Sequence, residues 1–298
     1  MAEPDRTSGS TDVAFAFLDR LERMLAMDVS ATAAAFRPAL FGWLRAEQAG
    51  QPSMAIVHQL AGRAWDVAQT GGPGDAVADL RARVAESCAA ERRDLSADQR
   101  ALAATAAALV ERRESWIATL SHSRSVINAL SLAATRGQAP RALVGEGRPR
   151  LEGRNAAAEL AAANIPVWLV ADSALPLLLS QASMVWIGAD AVTDRGVVNK
   201  IGSYATALAA REHSVPVYAL AGRRKFLPAN TGALQILEMP PTEIWDAAPE
   251  GVQARNVYFE IVPLELLRGV VVEDAVLGPN EAGQLARERE LPDALRGA

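Results

Sequence analysis

Side chains that could do chemistry follow two of the short apolar runs in this sequence. After one run, residues 145–154 carry Arg148, Arg150 and Arg154 among glycines and a proline. Such a basic loop suits a phosphate or carboxylate ligand, although a solvated loop with surface ion pairs has the same composition. After another run comes Asp190. Partial burial there would raise the pKa of its carboxyl group toward the range useful for acid–base catalysis, but an aspartate at a strand end also serves as a cap or turn residue.

A third polar segment, residues 196–203, contains Asn199, Lys200 and Ser203 among glycines and valines. Its pattern predicts a loop that runs into a helix near Lys200, and the backbone N–H groups at a helix start attract anions. The segment lacks the Gly-x-Gly-x-x-Gly pattern of dinucleotide-binding folds, and the chain has no phosphate-loop motif. The sequence therefore predicts an anionic ligand here, and no bound cofactor.

A sheet is needed to position these segments. Short runs of consecutive apolar residues alternate with helical stretches in the second half of the chain. The runs are residues 142–144, 167–171, 184–187, 215–220 and 258–262, and the helical stretches include residues 155–163 and 200–213. Strands that are apolar on both faces indicate a parallel sheet covered by helices. The sequence predicts an α/β protein in which residues 116–298 form a Rossmann-like, doubly wound domain, with ligands beyond the carboxyl ends of its strands.

The first half of the chain has a different composition. Only four of the 16 prolines precede residue 140, and Ala, Leu, Glu and Arg predominate there. Apolar residues recur at helical spacing after a cap-like cluster at residues 10–12 and again after Pro52. Further helices are predicted over residues 75–92 and 96–113, with a loop over residues 70–74. We expect an all-helical N-terminal domain over residues 1–115, with its boundary in or just after a helix that ends near Arg113.

Composition and charge exclude several classes of protein. The 30 Lys and Arg against 35 Asp and Glu give a net charge of -5, which argues against the basic surface of a nucleic-acid-binding protein. The single cysteine, Cys88, cannot form an intramolecular disulfide and suits a reducing compartment, and the three scattered histidines predict no metal site. The chain start does not resemble a secretory signal, and no apolar run could cross a bilayer. We expect a cytoplasmic protein without a membrane partner.

Longer runs in the second half resemble one known family. The resemblance rests on EGRPRLEGRN within residues 146–174, GADAVTDRGVVNKIGSY within residues 188–221, RKFLP at residues 224–228, and NVYFEIVPLELL followed by a later Glu-Asp pair. This family comprises the alpha, beta and delta subunits of the guanine-nucleotide exchange factor for eukaryotic translation initiation factor two. It also contains the isomerases of 5-methylthioribose 1-phosphate and ribose 1,5-bisphosphate. The resemblance covers residues 115–280 and is strongest over residues 145–228.

The resemblance implies both an architecture and a set of site residues. It implies a helical N-terminal domain, a Rossmann-like second domain, a ligand cleft between the two, and a homodimer formed through the second domain. The aspartate that flanks the sugar in the isomerases corresponds to Asp190. The asparagine and lysine that follow it correspond to Asn199 and Lys200, and a further lysine of the same cleft corresponds to Lys225.

This sequence departs from the isomerases at two places. The isomerases' catalytic cysteine corresponds to Ser121, whose hydroxyl group has a far higher pKa than a thiol and is not the same acid–base group. The stretch around His122 and Ser123 instead resembles the non-catalytic subunits. An arginine that the isomerases place before a Pro-Ser/Thr step is replaced here by Gln51.

Three functions remain open at this point. The protein could be an isomerase of a phosphorylated pentose, with Asp190 as the acid–base group. It could be a non-catalytic regulatory protein that binds a sugar phosphate or a nucleotide, or an assembly subunit whose cleft is vestigial. The catalytic candidates are Asp190 and Ser121, and the candidate ligand-binding residues are Arg148, Arg150, Arg154, Asn199, Lys200, Lys225, His122 and Ser123.

Overall fold

The computed structural model describes residues 9–72, 75–111, 114–229 and 234–295. Helices come first: α1 (Ser10–Met27), α2 (Ala33–Gly50), α3 (Ala55–Gln69) and α4 (Val77–Ala107). Their apolar faces bury a shared core that includes Phe17, Phe36 and Leu44. The predicted helix end at Arg113 and two residues of the predicted loop over residues 70–74 lie outside the described residues.

Helix α4 is one continuous helix, so the prediction of two helices over residues 75–92 and 96–113 was wrong. Neither glycine nor proline interrupts it. The Ser96 hydroxyl group donates a hydrogen bond to the Arg92 carbonyl oxygen one turn earlier (2.9 Å), so Ser96 does not cap a new helix. Neither α4 nor any other described helix is long and apolar enough to cross a membrane.

The rest of the described chain is built around a mainly parallel sheet. The strands of this sheet are β1 (Ser115–Leu120), β2 (Pro140–Gly145), β3 (Val167–Val170), β4 (Met184–Ile187), β7 (Val217–Leu220), β9 (Gly269–Val271) and β10 (Val276–Leu277). The helices are α5 (Arg124–Thr135), α6 (Glu152–Ala162), α7 (Leu175–Leu178), α8 (Ser203–Glu212) and α9 (Pro279–Arg287). Among the described residues the strand order is β10-β9-β7-β4-β1-β2-β3, and all neighbours are parallel except β10 and β9.

Both faces of the central strands of this sheet are buried, whereas Trp168 and Leu169 of the edge strand β3 are exposed, and the arrangement confirms the predicted α/β fold class. Along β4, Val185 and Ile187 pack into one core, whereas Met184 and Trp186 pack into the core on the other face. Consecutive residues of the strand are therefore all apolar, as in other parallel sheets that are covered on both faces. Strand β1 and helix α5 were not predicted, because the buried Ser115 and Thr119 interrupt the apolar pattern of the strand.

A small antiparallel sheet corrects two further predictions. It contains β5 (Ala191–Thr193), β6 (Gly196–Lys200) and β8 (Phe259–Val262) in that order. Residues 196–200 are therefore a strand and not a loop before a helix, and the apolar run at residues 258–262 does not join the parallel sheet. The reason is a pairing between segments about sixty residues apart, in which β6 lies against β8.

The helical half contacts the loop that follows β4 directly. The Ser10 hydroxyl group at the start of α1 donates to the Ala189 carbonyl oxygen (3.0 Å). The Ala55 backbone N–H group at the start of α3 donates to the Asp190 carbonyl oxygen (3.0 Å). The first turns of α1 and α3 are thereby held against the carboxyl end of the sheet.

Candidate functional site

Residues that follow three neighbouring strands meet in one cleft. Ser121 follows β1, Asp190 comes shortly after β4, and Lys225 comes shortly after β7. The space between its walls, counted together with open solvent, is about 570 Å³, and residues at the start of α1 and the residue before α3 also line it. It brings together seven of the residues singled out from the sequence: Ser121, His122, Ser123, Asp190, Asn199, Lys200 and Lys225.

Asp190 is a buried carboxylic acid of the cleft. The residue is 8% exposed, and its backbone is fixed by the Asp190 N–H bond to the Val198 carbonyl oxygen (2.8 Å). Burial raises the pKa of Asp190 to about 6, and the charges of Lys225 and Lys200 limit the rise. Burial also lowers the pKa of Lys225, against the attraction of Asp190. The carboxyl group of Asp190 can therefore exchange protons near neutral pH.

Lys200 is a buried cation that already has partners. Its Nζ atom lies 2.9 Å from Glu152 Oε1 and 4.2 Å from the centre of the Tyr258 ring. Next to it, Asn199 Nδ2 donates to Ser203 Oγ (2.8 Å). Sequence reasoning did not single out Glu152, which opens helix α6 and lines the cleft.

A second acid of α6 binds two residues that line the cleft, His122 and Arg124. Glu159 accepts hydrogen bonds from His122 Nε2 (2.8 Å) and Arg124 Nη1 (2.7 Å). Burial would raise the pKa of Glu159, but the hydrogen bond from His122 and the charge of Arg124 outweigh it and lower that pKa. The signal that sequence reasoning missed is a spacing of seven residues between Glu152 and Glu159, which places both on one face of a helix.

Ser121 and Ser123 lie where β1 turns into α5. Ser121 has a left-handed backbone conformation (φ +62°). The end of β4 approaches this turn so closely that a Cβ atom on Gly188 would lie 2.7 Å from Ser123 Oγ. Glycine at position 188 is thus what lets the two strand ends share one cleft.

Two helix N-termini open into the cleft. Helix α1 starts at Ser10 with Gly9 as its N-cap residue, so the predicted cap cluster at residues 10–12 is instead the first turn of the helix. Helix α5 follows its N-cap residue Ser123, and among the described residues neither helix has a side-chain cap at this end. The backbone N–H groups and helix dipoles there favour an anion.

The predicted anion site at the start of the helix after Lys200 is not available. Helix α8 starts at Ser203, after Gly202 in a left-handed conformation (φ +99°). The Tyr204 backbone N–H group of its first turn donates to Glu260 Oε1 of the adjacent β8 (2.8 Å). The protein's own carboxylate therefore occupies the position that was predicted for a ligand.

Of the three arginines predicted to share one loop after β2, Arg148 and Arg150 lie in the loop, whereas Arg154 lies in the first turn of α6. None of them is among the described residues that line the cleft. Arg154 forms an ion pair with Glu146 (2.9 Å), and Arg150 lies 3.6 Å from Glu243. Arg148 is exposed, and its backbone N–H group donates to Asp172 Oδ2 (2.7 Å). Their role in binding phosphate stays a prediction.

The cleft thus offers a proton-exchanging carboxyl group, hydroxyl groups and two positive helix ends. Within the described part of the chain, no group of three or more His, Cys, Asp or Glu residues could hold a metal ion. Residues 7–279 of the chain match the family described as the Initiation factor 2 subunit family. The chain belongs to this family.

Two relatives of this chain are named as isomerases of a sugar phosphate. The "Ribose 1,5-bisphosphate isomerase" of Pyrococcus furiosus is 33% identical over 180 residues, which are 58% of this chain and 56% of that protein. The protein of the same name from Haloterrigena turkmenica is 31% identical over 230 residues, 72% of this chain and 70% of that protein. The chain therefore matches little more than half the length of the first of these relatives.

The fold agrees with a solved member of the same group. The crystal structure of the Pyrococcus horikoshii translation initiation factor eIF-2B has a TM-score of 0.79 and 24% identity, and the alignment covers 93% of this chain and 94% of that chain. This structural similarity supports the assignment of the fold and does not indicate a reaction.

Proposed function

We propose that this member of the Initiation factor 2 subunit family binds a phosphorylated sugar in the cleft and isomerises an aldose to a ketose, with Asp190 as the acid–base group. The observation that carries the proposal is the buried carboxyl group of Asp190, whose pKa is raised to about 6 at the carboxyl end of the sheet. The names of the relatives support the choice of a phosphorylated pentose as substrate.

The isomerisation requires that one proton is donated to the sugar and that one proton is removed from it. Ring opening requires a proton on the ring oxygen as its bond to C1 breaks. Cleavage of that bond leaves C1 short of an electron pair, so formation of the ketose moves a hydride from C2 to C1 and removes the proton of the C2 hydroxyl group. C2 is oxidised as C1 is reduced, so no external oxidant is needed. A group with a pKa near 6 can give the first proton as an acid and take the second as a base. The uncapped starts of α1 and α5 would hold a phosphate, which fixes the sugar over Asp190.

Ser121 takes a different role from the cysteine to which it corresponds. Its hydroxyl group can donate or accept a hydrogen bond to the sugar but is not a readily ionised acid. We therefore assign proton transfer to Asp190, with Ser121 as a hydrogen-bonding group beside it.

The test is conversion of ribose 1,5-bisphosphate and of 5-methylthioribose 1-phosphate, followed by NMR detection of the ketose product. We expect conversion by the unmodified chain and a loss of at least 1,000-fold, roughly the range of general acid–base catalysis, in Asp190→Asn. The matched control is Asp274→Asn, which makes the same change at an exposed carboxylate outside the cleft. Absence of turnover with both sugars would refute the isomerase assignment.

A second candidate is a non-catalytic protein that binds a sugar phosphate or a nucleotide. The observation that favours it is Ser121 in the place of the isomerases' cysteine. Thermal unfolding with sugar phosphates and nucleotides tests it, because a ligand bound only by the folded chain raises the melting temperature. If Arg148→Ala leaves the affinity of a bound sugar phosphate unchanged, the predicted role of the arginine loop in phosphate binding is wrong.

We also propose a homodimer formed through the second half of the chain and a domain boundary between residues 115 and 116. The molar mass in solution, measured by light scattering, tests the dimer. Expression of residues 116–298 alone tests the boundary, since a separate domain folds without the helical half.

A further inference from the structure

We infer that Arg224 is a positioning residue of the cleft: carboxylates of helix α4 hold its guanidinium group and thereby keep the turn that carries Lys225 in place beside Asp190. The inference rests on the proposed function, in which Asp190 transfers protons, and it adds a residue that acts on Asp190 through Lys225. Arg224 itself is not among the described residues that line the cleft.

Three consecutive cations, Arg223, Arg224 and Lys225, form one turn of 3₁₀ helix after β7. Their side chains reach three different parts of the fold. Arg223 Nη2 lies 2.6 Å from Asp274 Oδ1 in the turn between β9 and β10, whereas Arg224 faces α4. Lys225 Nζ donates to the Ala189 carbonyl oxygen in the cleft (2.8 Å). Because the three residues are adjacent in one turn, a movement of the Arg224 backbone also moves Lys225.

The partners of Arg224 are three acids of α4 at helical spacing. Arg224 Nε donates to Asp98 Oδ2 (2.9 Å), and Nη1 pairs with Glu91 Oε2. Nη2 lies 3.6 Å from Asp94 Oδ2. Spacings of three and four residues place the three acids on one face of the helix. The side chains of Arg224 and Glu91 are 17% and 9% exposed, so water screens this contact less than it screens a surface ion pair. The contact joins the helical half to the turn after β7.

Lys225 has a weaker hold of its own. The residue is 3% exposed, and the hydrogen bond that the structure describes for its ammonium group is accepted by the neutral carbonyl oxygen of Ala189. A neutral acceptor binds an ammonium group less strongly than a carboxylate does. The backbone of the turn is also held from α3, where Gln59 Nε2 donates to the Phe226 carbonyl oxygen (3.2 Å). This contact keeps the turn attached when Arg224 is replaced, so we expect a displacement of Lys225 and not a loss of the fold.

The position of Lys225 affects the acid–base group directly. Burial raises the pKa of Asp190, and the charge of Lys225 is the largest effect that opposes the rise. Ser10 and Ala55 bond to the backbone of residues 189 and 190 without the help of Arg224, so Asp190 stays buried if the turn shifts. Other charged or titratable residues act on this pair or line the cleft with it; they are Asp12, His122, Arg124, Glu152, Lys200, Tyr258 and Glu273. Displacement of Lys225 is therefore expected to raise the pKa of Asp190 further.

The experiment follows the titration of the Asp190 carboxyl group by carbon NMR in the full-length chain without ligand, with Asp190→Asn to assign the signal. In Arg224→Met we expect the midpoint to move to higher pH by about 0.5, since a neighbouring cation lowers a carboxyl pKa by about 1–3 and a displaced one loses part of that effect. Arg224→Lys keeps a cation for α4 and should restore the midpoint in part. The matched control is Arg81→Met, which removes an arginine from the equally buried carboxylate of Asp28 directly after α1 and should leave the midpoint unchanged.

A double variant separates the hold of α4 from the charge of Arg224 itself. Glu91→Gln with Asp98→Asn keeps the arginine and removes two of its partners. Loss of two negative charges alone lowers the pKa of Asp190, whereas release of the turn raises it, so we expect a midpoint above that of the unmodified chain.

An unchanged or lower midpoint in Arg224→Met or in the double variant would overturn the inference, and so would an equal shift in Arg81→Met. If Arg224→Met does not fold, the double variant decides alone. Failure of the proposed function is separable, because it appears as absence of sugar conversion by the unmodified chain, whereas the titration needs no substrate.

Discussion

Protonation of one buried histidine is expected to destabilise the helical half at mildly acidic pH. His58 lies on α3 and is 3% exposed. Its Nδ1 atom faces Gln48 Nε2 (3.0 Å) and its Nε2 atom faces the Pro52 carbonyl oxygen (3.4 Å). Only the neutral ring with its proton on Nε2 fits both contacts, because the Gln48 amide donates to Nδ1. Burial lowers the pKa of His58 from 6.5 to about 4, and the charge of Arg45 adds to this.

The sign and size of the effect follow from these two pKa values. Between pH 6.5 and pH 4 the unfolded chain binds the proton and the folded chain does not, so the contribution of His58 to stability is complete above pH 6.5 and is lost as the pH falls toward 4. At pH 4.5 the loss is about 2.5 kcal/mol. Asp190 acts in the opposite direction: its pKa is raised from 3.8 to about 6, so acidification relieves the cost of burying its charge.

Comparison of variants separates the contribution of His58 to the pH dependence of stability from that of Asp190. Urea unfolding of the unmodified chain and of His58→Gln should be measured from pH 7.5 to pH 4.5. His58→Gln has its own constant cost, but its disadvantage should shrink by about 2.5 kcal/mol over this range, because it lacks the titrating ring. His213→Gln is the matched control at an exposed position and should run parallel to the unmodified chain. A constant gap would refute the reasoning. It would mean that Gln48 turns its amide, whose Oε1 has no partner among the described residues, to accept from a protonated ring.

Three further outcomes follow from the packing. Gly153→Ala should abolish folding, since its Cβ atom would overlap a backbone carbonyl of β2, and the soluble yield checks this. Gly42→Ala meets no described atom within 4 Å, so it should raise the free energy of unfolding in urea by about 0.5–1 kcal/mol. Cys88 should not react with a thiol reagent at pH 8 until urea unfolds the chain, because burial raises its pKa to about 12; rapid native reaction would contradict this. Arg224→Met should lower the free energy of unfolding in urea by about 3 kcal/mol, because it leaves the buried Glu91 carboxylate without that partner. A decrease below about 1 kcal/mol would show that water screens the pair.

The strands and helices that are determined by the burial of neighbouring residues could be predicted from local sequence patterns. The runs at residues 142–144 and 184–187 are apolar at every position because helices cover both faces of the sheet, and the sequence records this burial directly. Helix α1 and helix α3 were visible from spacing for the same reason. The start of α1 was misplaced, because Ser10 resembles a cap residue although its hydroxyl group bonds to a distant carbonyl oxygen.

The parts that could not be predicted depend on partners far away in the chain. Residues 196–200 contain the glycine, asparagine and lysine typical of a turn, and only their pairing with β8 makes them a strand. The pair of Glu152 and Lys200 joins residues 48 positions apart, and nothing in either local pattern indicates it. Sequence spacing likewise predicted three arginines in one loop, but Arg154 belongs to the first turn of α6, and the directions of the three side chains could not be predicted.

The two buried lysines of the cleft illustrate why residue type alone does not assign a role. The Lys225 ammonium group donates to the Ala189 carbonyl oxygen (2.8 Å) and acts on the neighbouring Asp190 through its charge, and burial shifts the pKa values of these two groups toward each other. Lys200 instead lies 2.9 Å from Glu152 and against the ring of Tyr258, a geometry that fixes the ion pair in place. Both lysines sit about equally deep in the cleft, at 3% and 4% exposure, so burial does not distinguish them. What distinguishes them is the partner: the charge of Lys225 acts on a carboxyl group with a pKa of about 6, whereas Lys200 forms an ion pair with Glu152.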